Sequence, residues 1–561
     1  IEINEHTQKR RLKHGINTIV FTDLPLNADY IDQIINTGAE LKRKSRWLNA
    51  ISLVVDKNQI NEIMNFSFVK NLQLVARYTR KSPPPNYRND MYPKTTPSIE
   101  IDLDYGLSWN QLNMLNIPVL HEIGFKGQGV IIAMLDTGFK KSHETFVSAY
   151  MENRVLAEYD FLANDNDTQD EPGEDLSGQH NHGTSTWSVL GGYSPGSLIG
   201  PAFGAKFILA KTEDIGLENQ IEEDNWVAAL EWADQLGADI ISSSLSYSDW
   251  YTYDDMDGAT CITTVMANTA ADLGILLVNS IGNRGPDSGT LSAPSDAYNI
   301  LSCGAVDVFG DLAYFSSRGP TYDGRIKPEV CAMGYNVQSA FAYYDDTGYT
   351  FSSGTSFSTP LVAGAAAVLL SANPTLTVPQ IRRALKETAH KSSSPDNNYG
   401  WGIIDIYEAY NWGVNFSADT TIGYDTLTVH FYDESDPIPT DYWRWYFGDG
   451  DTSITRNPIH TYRQPGSYDV TLQIQTYGTL IRTKENFITI YPSEFCSGDL
   501  DNSEDTDILD VVYLINYIYK DGPPPDPIEA AEINGIPPPN ILDIVYLINY
   551  IYKDGPYLVC P

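Results

Sequence analysis

Five short apolar runs, hardly interrupted by polar residues, limit what this chain can fold into. They are VIIAMLD (130–136), KFILAKT (206–212), ADIISSSLS (238–246), GILLVNSIG (274–282) and ILSCGAV (300–306). Strict alternation would mark a strand with one wet face, whereas a nearly continuous run marks a strand covered on both faces, as in a parallel sheet. Several of the stretches between them are amphipathic at helical spacing, as in NWVAALEWADQLG (225–237). This succession reads as α/β and doubly wound, with any site beyond the carboxyl ends of the strands.

The chain of 561 residues is too long for one core, so three or four domains are expected. No apolar stretch reads as long enough to span a bilayer. Ile1 is preceded by no signal-peptide pattern, so a targeting segment is expected to have been removed. Residues 1–80 mix short apolar runs, NTIVF and NAISLVV, with helix-like segments near 29–38 and 57–65, which suits a small α+β unit. RKSPPPNYRNDMYPKTTP (80–97) is polar and proline-rich, an exposed linker open to proteolytic nicking. From about 414, aromatic and β-branched residues alternate between regular turns, the pattern of an all-β sandwich. ILDVVYLINYIYKDGP (508–523) then returns as ILDIVYLINYIYKDGP (541–556) with one substitution. Val511, Leu514, Ile515 and Ile518 mark one helical face, so two similar helices should pack together.

A net charge of −37 argues against nucleic acid as a partner. The charge is unevenly placed: residues 1–90 hold 14 Lys+Arg against 9 Asp+Glu, and the remainder 22 against 64. A basic leader on an acidic body is expected to dock. Cys496 and Cys560 bracket the last segment and suggest a clasp, a weak vote for an oxidising compartment; Cys261, Cys303 and Cys331 read as buried thiols.

Four residues could carry chemistry. Asp136 ends a buried strand on the functional edge of the sheet. His182, in QHNHGTSTWSVLGG, stands at a helix start, which lowers imidazolium stability and suits a base neutral near pH 7. His180 and His143 offer the same chemistry, and the residues alone do not choose among the three. Asn283, in VNSIGNRGPDSG, has an amide that could meet an oxyanion. Ser356, in SSGTSFSTPLVAGAAAVLL, sits where small polar residues give way to an apolar helix. A cap would explain it alone, but together the four supply the nucleophile, base, orienter and oxyanion donor of acyl transfer.

Residues 105–412 resemble the catalytic domain of a subtilisin-like serine protease (subtilase, peptidase family S8). The resemblance rests on AMLDTGF, NHGTSTWSVLGG, SSSLS, GNRGP, FSSRGPTYDGRIKPEV, SSGTSFSTPLVAGAAAVLL and YGWGIIDIYEA. It implies Ser356 as nucleophile, His182 as general base and Asp136 as its orienting carboxylate. Asn283 and the Ser356 N–H would form the oxyanion hole. Substrate would add as a strand beside Ser244, Leu245 and Ser246, with Ser280, Ile281 and Gly282 forming the other wall of the primary pocket. Ser246 stands where glycine is usual, and Asn279-Ser280 where alanines are usual. Structural calcium is frequent in the family, but Thr145 occupies the place of one usual aspartate ligand. The acidic insertion NDNDTQDEPGED (164–175) is a second candidate, or simply a solvated loop.

Residues 1–95 resemble the subtilase propeptide, an inhibitor and folding template, with AELKRKSRWLNAISLVVDKNQINEIMNFSFVKNLQLV (39–75) following its strand, helix, strand plan loosely. Cleavage is expected between about 80 and 104. Residues 415–491 resemble a PKD domain through WRWYFGDGDTS and NPIHTYRQPGSYDVTL. Residues 495–561 resemble a dockerin-like pair of calcium loops and helices. The resemblance implies Ca²⁺ on Asp499, Asp501, Ser503, Asp505, Asp507 and Asp510, with Glu504 in place of the usual glycine. The second loop keeps Glu532, Asn534 and Asp543 but carries Ile536, so one good site and one degenerate site are expected. The expectation is a secreted or cell-surface serine endopeptidase made as a proenzyme, acting on protein or peptide and inhibited by its own propeptide. A cohesin-like or cell-surface partner would meet the C-terminal module. The rival is a non-catalytic scaffold that keeps a subtilase fold.

Overall fold

The basic leader opens with helix α1 (Glu5–Lys13), followed by α2 (Ala28–Ile35), strands β1 (Glu40–Ser45) and β2 (Ala50–Val54), and α3 (Lys57–Met64). Residues 39–75 were expected to follow a strand, helix, strand plan loosely, with the helix near 57–65. The helix forms there as α3, but an antiparallel β1–β2 hairpin stands in place of the single first strand. The left-handed conformation of Asn49 (φ 48°) turns the chain back between β1 and β2. Ile34, Ala39 and Ile63 make a small core of their own. A two-residue strand, β3 (Arg77–Tyr78), follows. This computed structural model describes residues 3–74, 77–78, 103–491 and 498–553, apart from 174, 217, 220, 344, 437–439, 441, 476–477, 502, 504, 526–527 and 534–537. The expected linker and cleavage region lies almost wholly outside the described residues, as do Cys496, Cys560, Asn534 and Ile536.

The next elements are β4 (Ile131–Asp136), β5 (Val155–Asp160), α4 (Asn181–Gly191), β6 (Lys206–Lys211), β7 (Glu218–Asn219), α5 (Ile221–Leu236), β8 (Ile240–Ser243), α6 (Ile262–Asp272), β9 (Leu276–Ser280), β10 (Leu301–Val306) and β11 (Val330–Met333). The five apolar runs supply β4, β6, β8, β9 and β10, which are neighbours in one seven-stranded parallel sheet, order β5-β6-β4-β8-β9-β10-β11. Order reverses around β4, so the carboxyl ends of β4, β8 and β9 open on one crevice. Helix α7 (Thr355–Ala372), packed on β8 to β11, and the shorter α8 (Val378–Glu387) follow. Contrary to the sequence expectation, α7 is long and apolar enough to cross a bilayer, but 94% of it is buried inside the protein. It is the central pillar of this α/β unit.

Residues 1–412 and 413–561 form separate units. In the second, an all-β part has a three-stranded sheet containing Leu427–Asp433 and a five-stranded sheet containing Trp443–Tyr446. Trp445 is fully buried against Phe416 and Phe431, and its indole N–H donates to the Thr455 carbonyl at 3.0 Å. The repeat yields two helices, α9 (Ile508–Tyr519) and α10 (Ile541–Lys553), joined by Val511, Leu514, Ile544 and Leu547. Trp445→Ala should cost about 3–5 kcal/mol. Scanning calorimetry on the whole chain should show one transition lowered by roughly 10 °C or more, while the transition of residues 1–412 stays in place.

Candidate active site

Asp136 is the last residue of β4 and has no solvent exposure. A bare carboxylate there would be costly, and its oxygens are engaged. Oδ1 meets His182 Nδ1 at 2.6 Å and accepts the Thr137 N–H at 2.8 Å; Oδ2 accepts the Thr186 hydroxyl at 2.9 Å. An ionised carboxylate only accepts, so Nδ1 carries the proton and the neutral ring keeps Nε2 as its basic nitrogen. Gly183 makes this approach possible. A Cβ there would lie 2.1 Å from the Gly138 carbonyl oxygen and 3.0 Å from Asp136 Cβ.

The three histidines are now distinguished. His143 is fully buried, with Nε2 on the Gly348 carbonyl at 2.9 Å and Nδ1 accepting the Thr145 N–H; burial holds its pKa down. His180 pairs through Nδ1 with Asp170 at 2.9 Å. Only His182 of the three bonds to Asp136, and its ring centroid lies 6.2 Å from that of Phe357, the residue after Ser356.

Ser356 is the second residue of α7, where a backbone N–H has no acceptor within the helix. Its hydroxyl donates to the Ser244 carbonyl at 3.3 Å, and the Ser244 hydroxyl donates back to the Ser356 carbonyl at 2.8 Å. Asn283 Oδ1 accepts both the Thr355 N–H (2.8 Å) and the Thr355 hydroxyl (3.0 Å). That fixes the amide so that Nδ2 faces Gly354. A Cβ on Gly354 would sit 3.5 Å from Nδ2 and 3.7 Å from the Ser356 nitrogen. Two donors therefore flank one small space, kept open because residue 354 has no side chain.

The expected substrate walls also meet. Ser244, Leu245 and Ser246 follow β8; Ser280 ends β9, and Ile281 and Gly282 come next. The Leu245 carbonyl accepts from Asn279 Nδ2 at 3.1 Å and from the Ser280 hydroxyl at 3.4 Å, so these replacements for alanine tie the walls together. The Ile281 side chain joins the apolar cluster of Met256, Cys261, Leu291 and Ala293, which leaves its backbone as the part that could serve a wall. Sequence reading missed Thr186, Thr355 and the strand β7. The backbone of β7 pairs antiparallel with β3 of the leader, Glu218 with Tyr78 and Asn219 with Arg77.

The metal candidates fare unequally. Thr145 brings a neutral hydroxyl, and its neighbour Glu144 already accepts from Tyr349 and Ser194, which does not fit a calcium cage. In the acidic insertion, Asp167 pairs with Lys141 and Asp175 with Lys211, so protein cations already engage two of its carboxylates, and Asp170 lies against His180. In the second unit, Asp499, Asp501 and Asp510 bring carboxylate oxygens within 4.8 Å of one another. Such an all-oxygen set fits Ca²⁺. Asp510 is buried, which raises its pKa. Asp507 Oδ1 caps α9 by accepting the Leu509 N–H, and the Ser503 hydroxyl donates to the Asp505 carbonyl. Asp543 of the second loop is buried and accepts the Asn540 N–H at 2.8 Å.

The subtilase family model matches residues 127–402. Subtilisin Savinase from Lederbergia lenta is 30% identical over 299 residues, covering 53% of this chain and 97% of that protein. The chain belongs to the subtilase family. Models of the Bacteroidota peptidase S8 propeptide domain and of the PKD domain match residues 2–89 and 414–490 of this subtilase. Serine protease AprX of Bacillus subtilis (strain 168) is 30% identical over 305 residues, covering 50% of this chain and 65% of AprX. Bacillopeptidase F of the same organism is 27% identical over 400 residues, and the chain covers only 26% of its length.

Thr186→Val would leave a buried oxygen of Asp136 short of a donor. Urea unfolding should show a loss of about 1–3 kcal/mol, with Thr186→Ser recovering most of it.

Proposed function

We propose that this subtilase is a secreted serine endopeptidase made as a proenzyme, with Ser356, His182 and Asp136 as its triad. The observation that carries the reading is the fixed His182–Asp136 pair beside the start of α7, with two N–H donors around Gly354. In this reading Nε2 of His182 takes the proton as Ser356 Oγ attacks the scissile carbonyl. Asp136 holds the tautomer and stabilises the imidazolium. Asn283 Nδ2 and the Ser356 N–H receive the oxyanion, and the positive end of α7 adds to them. His182 then protonates the leaving amine, and water releases the acyl group by the same steps. Ser356 Oγ must first leave the Ser244 carbonyl, which a substrate N–H could replace.

Leader inhibition is supported by the β3–β7 pairing, which lays leader backbone antiparallel beside the unit that holds the site. Calcium in the C-terminal module would rest on Asp499, Asp501 and Asp510, whose negative charges it would neutralise. A docking role for that module, toward a cohesin-like or cell-surface partner, is supported by its repeated exposed face. Ile508, Leu509, Val512 and Tyr519 stand exposed in one helix, as do Ile541, Leu542, Val545 and Tyr552 in the other.

A fluorophosphonate probe should label the leader-free chain and fail on Ser356→Ala; an unlabelled wild type would favour the scaffold reading. Asn283→Ala should lower kcat by about 10²–10³, roughly 3–4 kcal/mol, a magnitude taken from the corresponding asparagine of subtilisin. Calcium chelation should lower the unfolding temperature of the C-terminal module, and Asp501→Ala should abolish that calcium dependence without affecting probe labelling.

A further inference from the structure

A third segment, residues 291–293, joins the two candidate walls of the primary pocket. On one side the Ser292 N–H donates to the Ile281 carbonyl at 3.2 Å. On the other, the Tyr247 N–H donates to the Ala293 carbonyl at 2.8 Å and the Ala293 N–H to the Tyr247 carbonyl at 3.1 Å. Tyr247 directly follows Ser246, and Ile281 directly follows β9. The segment therefore spans the gap between the chain after β8 and the chain after β9, and forms a floor between the walls.

Which side chain of the floor faces the pocket follows from alternation along an extended chain. Leu291 and Ala293 both join the apolar cluster of Met256, Cys261 and Ile281. Ser292, between them, points the opposite way, just as Ser280 and Gly282 flank Ile281. A Cβ on Gly282 would lie 3.2 Å from Ser292 Oγ and 3.0 Å from Ser317 Oγ, so these groups share one face. All three serines there are buried and neutral. The Ser280 hydroxyl is engaged by the Leu245 carbonyl, and Ser317 Oγ accepts the Arg284 N–H at 3.0 Å. The Ser292 hydroxyl has no hydrogen-bond partner among the described residues, although Ser292 is only 1% exposed. Such a buried, unpaired group costs about 1–3 kcal/mol, which a bound partner would recover. The carboxylate nearest in sequence, Asp296, is held by the Thr264 hydroxyl of α6 and the Gly258 N–H.

We propose that Ser292 determines the specificity of this pocket, selecting an unbranched, neutral side chain with a hydrogen-bonding end, glutamine above all, on the residue before the cut bond. The proposal rests on the endopeptidase reading. A side chain that reaches Ser292 supplies the missing bond, whereas an apolar one of the same length leaves the hydroxyl stranded. A charged one would be buried without a counter-charge. Asn279 Nδ2 and the Ser280 hydroxyl hold the Leu245 carbonyl at 3.1 and 3.4 Å, which keeps the walls close and favours an unbranched chain.

The test measures kcat/KM of the leader-free chain on peptide anilides that differ only in the residue before the cut: glutamine, methionine or glutamate. Glutamine should exceed methionine, its near-isostere, by at least about tenfold, and should also exceed glutamate. In Ser292→Ala the glutamine-to-methionine ratio should fall about tenfold, the scale of one hydrogen bond to a buried group. Ser292→Thr, which keeps a hydroxyl, should recover part of it. Each ratio is taken within one enzyme, so the folded fraction cancels. A wild type that favours methionine or glutamate, or a ratio that Ser292→Ala leaves in place, would overturn the proposal. Probe labelling of Ser356 alongside either result leaves the endopeptidase reading standing; a chain that neither takes the probe nor hydrolyses any of the three sinks both.

Discussion

A carboxylate at the end of a fully covered strand is costly to bury unless donors meet its oxygens, and at Asp136 this constraint organises the surroundings. The Thr137 N–H, the Thr186 hydroxyl and His182 Nδ1 are those donors. Bringing the last two within reach requires α4 to lie hard against the strand end, hence the absence of a side chain at Gly183. The same bond that makes the carboxylate tolerable fixes which nitrogen of the imidazole stays basic. Stability and reactivity are here the same interaction.

The opposite charges of leader and body have a structural expression on α5. Its outward acids each take leader donors: Asp224 accepts from Ser52, Glu231 from Ser45 and the backbone of Arg46 and Trp47, and Asp234 from Arg10 and Arg11. Trp47 inserts between them into the core that α5 shares with the sheet. Single exposed ion pairs contribute little, but these are buried and joined to backbone groups, so they specify where the leader sits as well as how firmly.

Much of this was legible in sequence because parallel strands are uniformly apolar and helix starts have small polar signatures. The β4, β6 and β10 runs lie within a residue of their final bounds. What escaped notice did so for physical reasons. Val155–Asp160 is only partly buried at the sheet edge and lacks the continuous apolar signal, while Val330–Met333 is too short to give one. Helix α1 has few apolar residues and reads as a solvated charged helix, yet Arg10 and Arg11 are buried through partners more than two hundred positions away. Thr186 and Thr355 look like ordinary hydroxyls until the fold buries them beside Asp136 and Asn283. The choice among His143, His180 and His182 needed coordinates, since each stands near a turn or a helix start. In the C-terminal loop, spacing named Asp507 as a ligand and did not show that its Oδ1 also caps α9.

The central claim is that the Asp136–His182 bond sets the protonation and aim of the imidazole toward Ser356. Asp136→Asn is the most direct test, read as steady-state kinetics of the leader-free chain on a peptide anilide. The account predicts a fall in kcat on the order of 10⁴ with KM nearly unchanged, because an amide presents the wrong hydrogen-bonding group to Nδ1 without vacating the site. A fall of less than about tenfold would mean that the imidazole does not depend on this carboxylate, and would contradict the account.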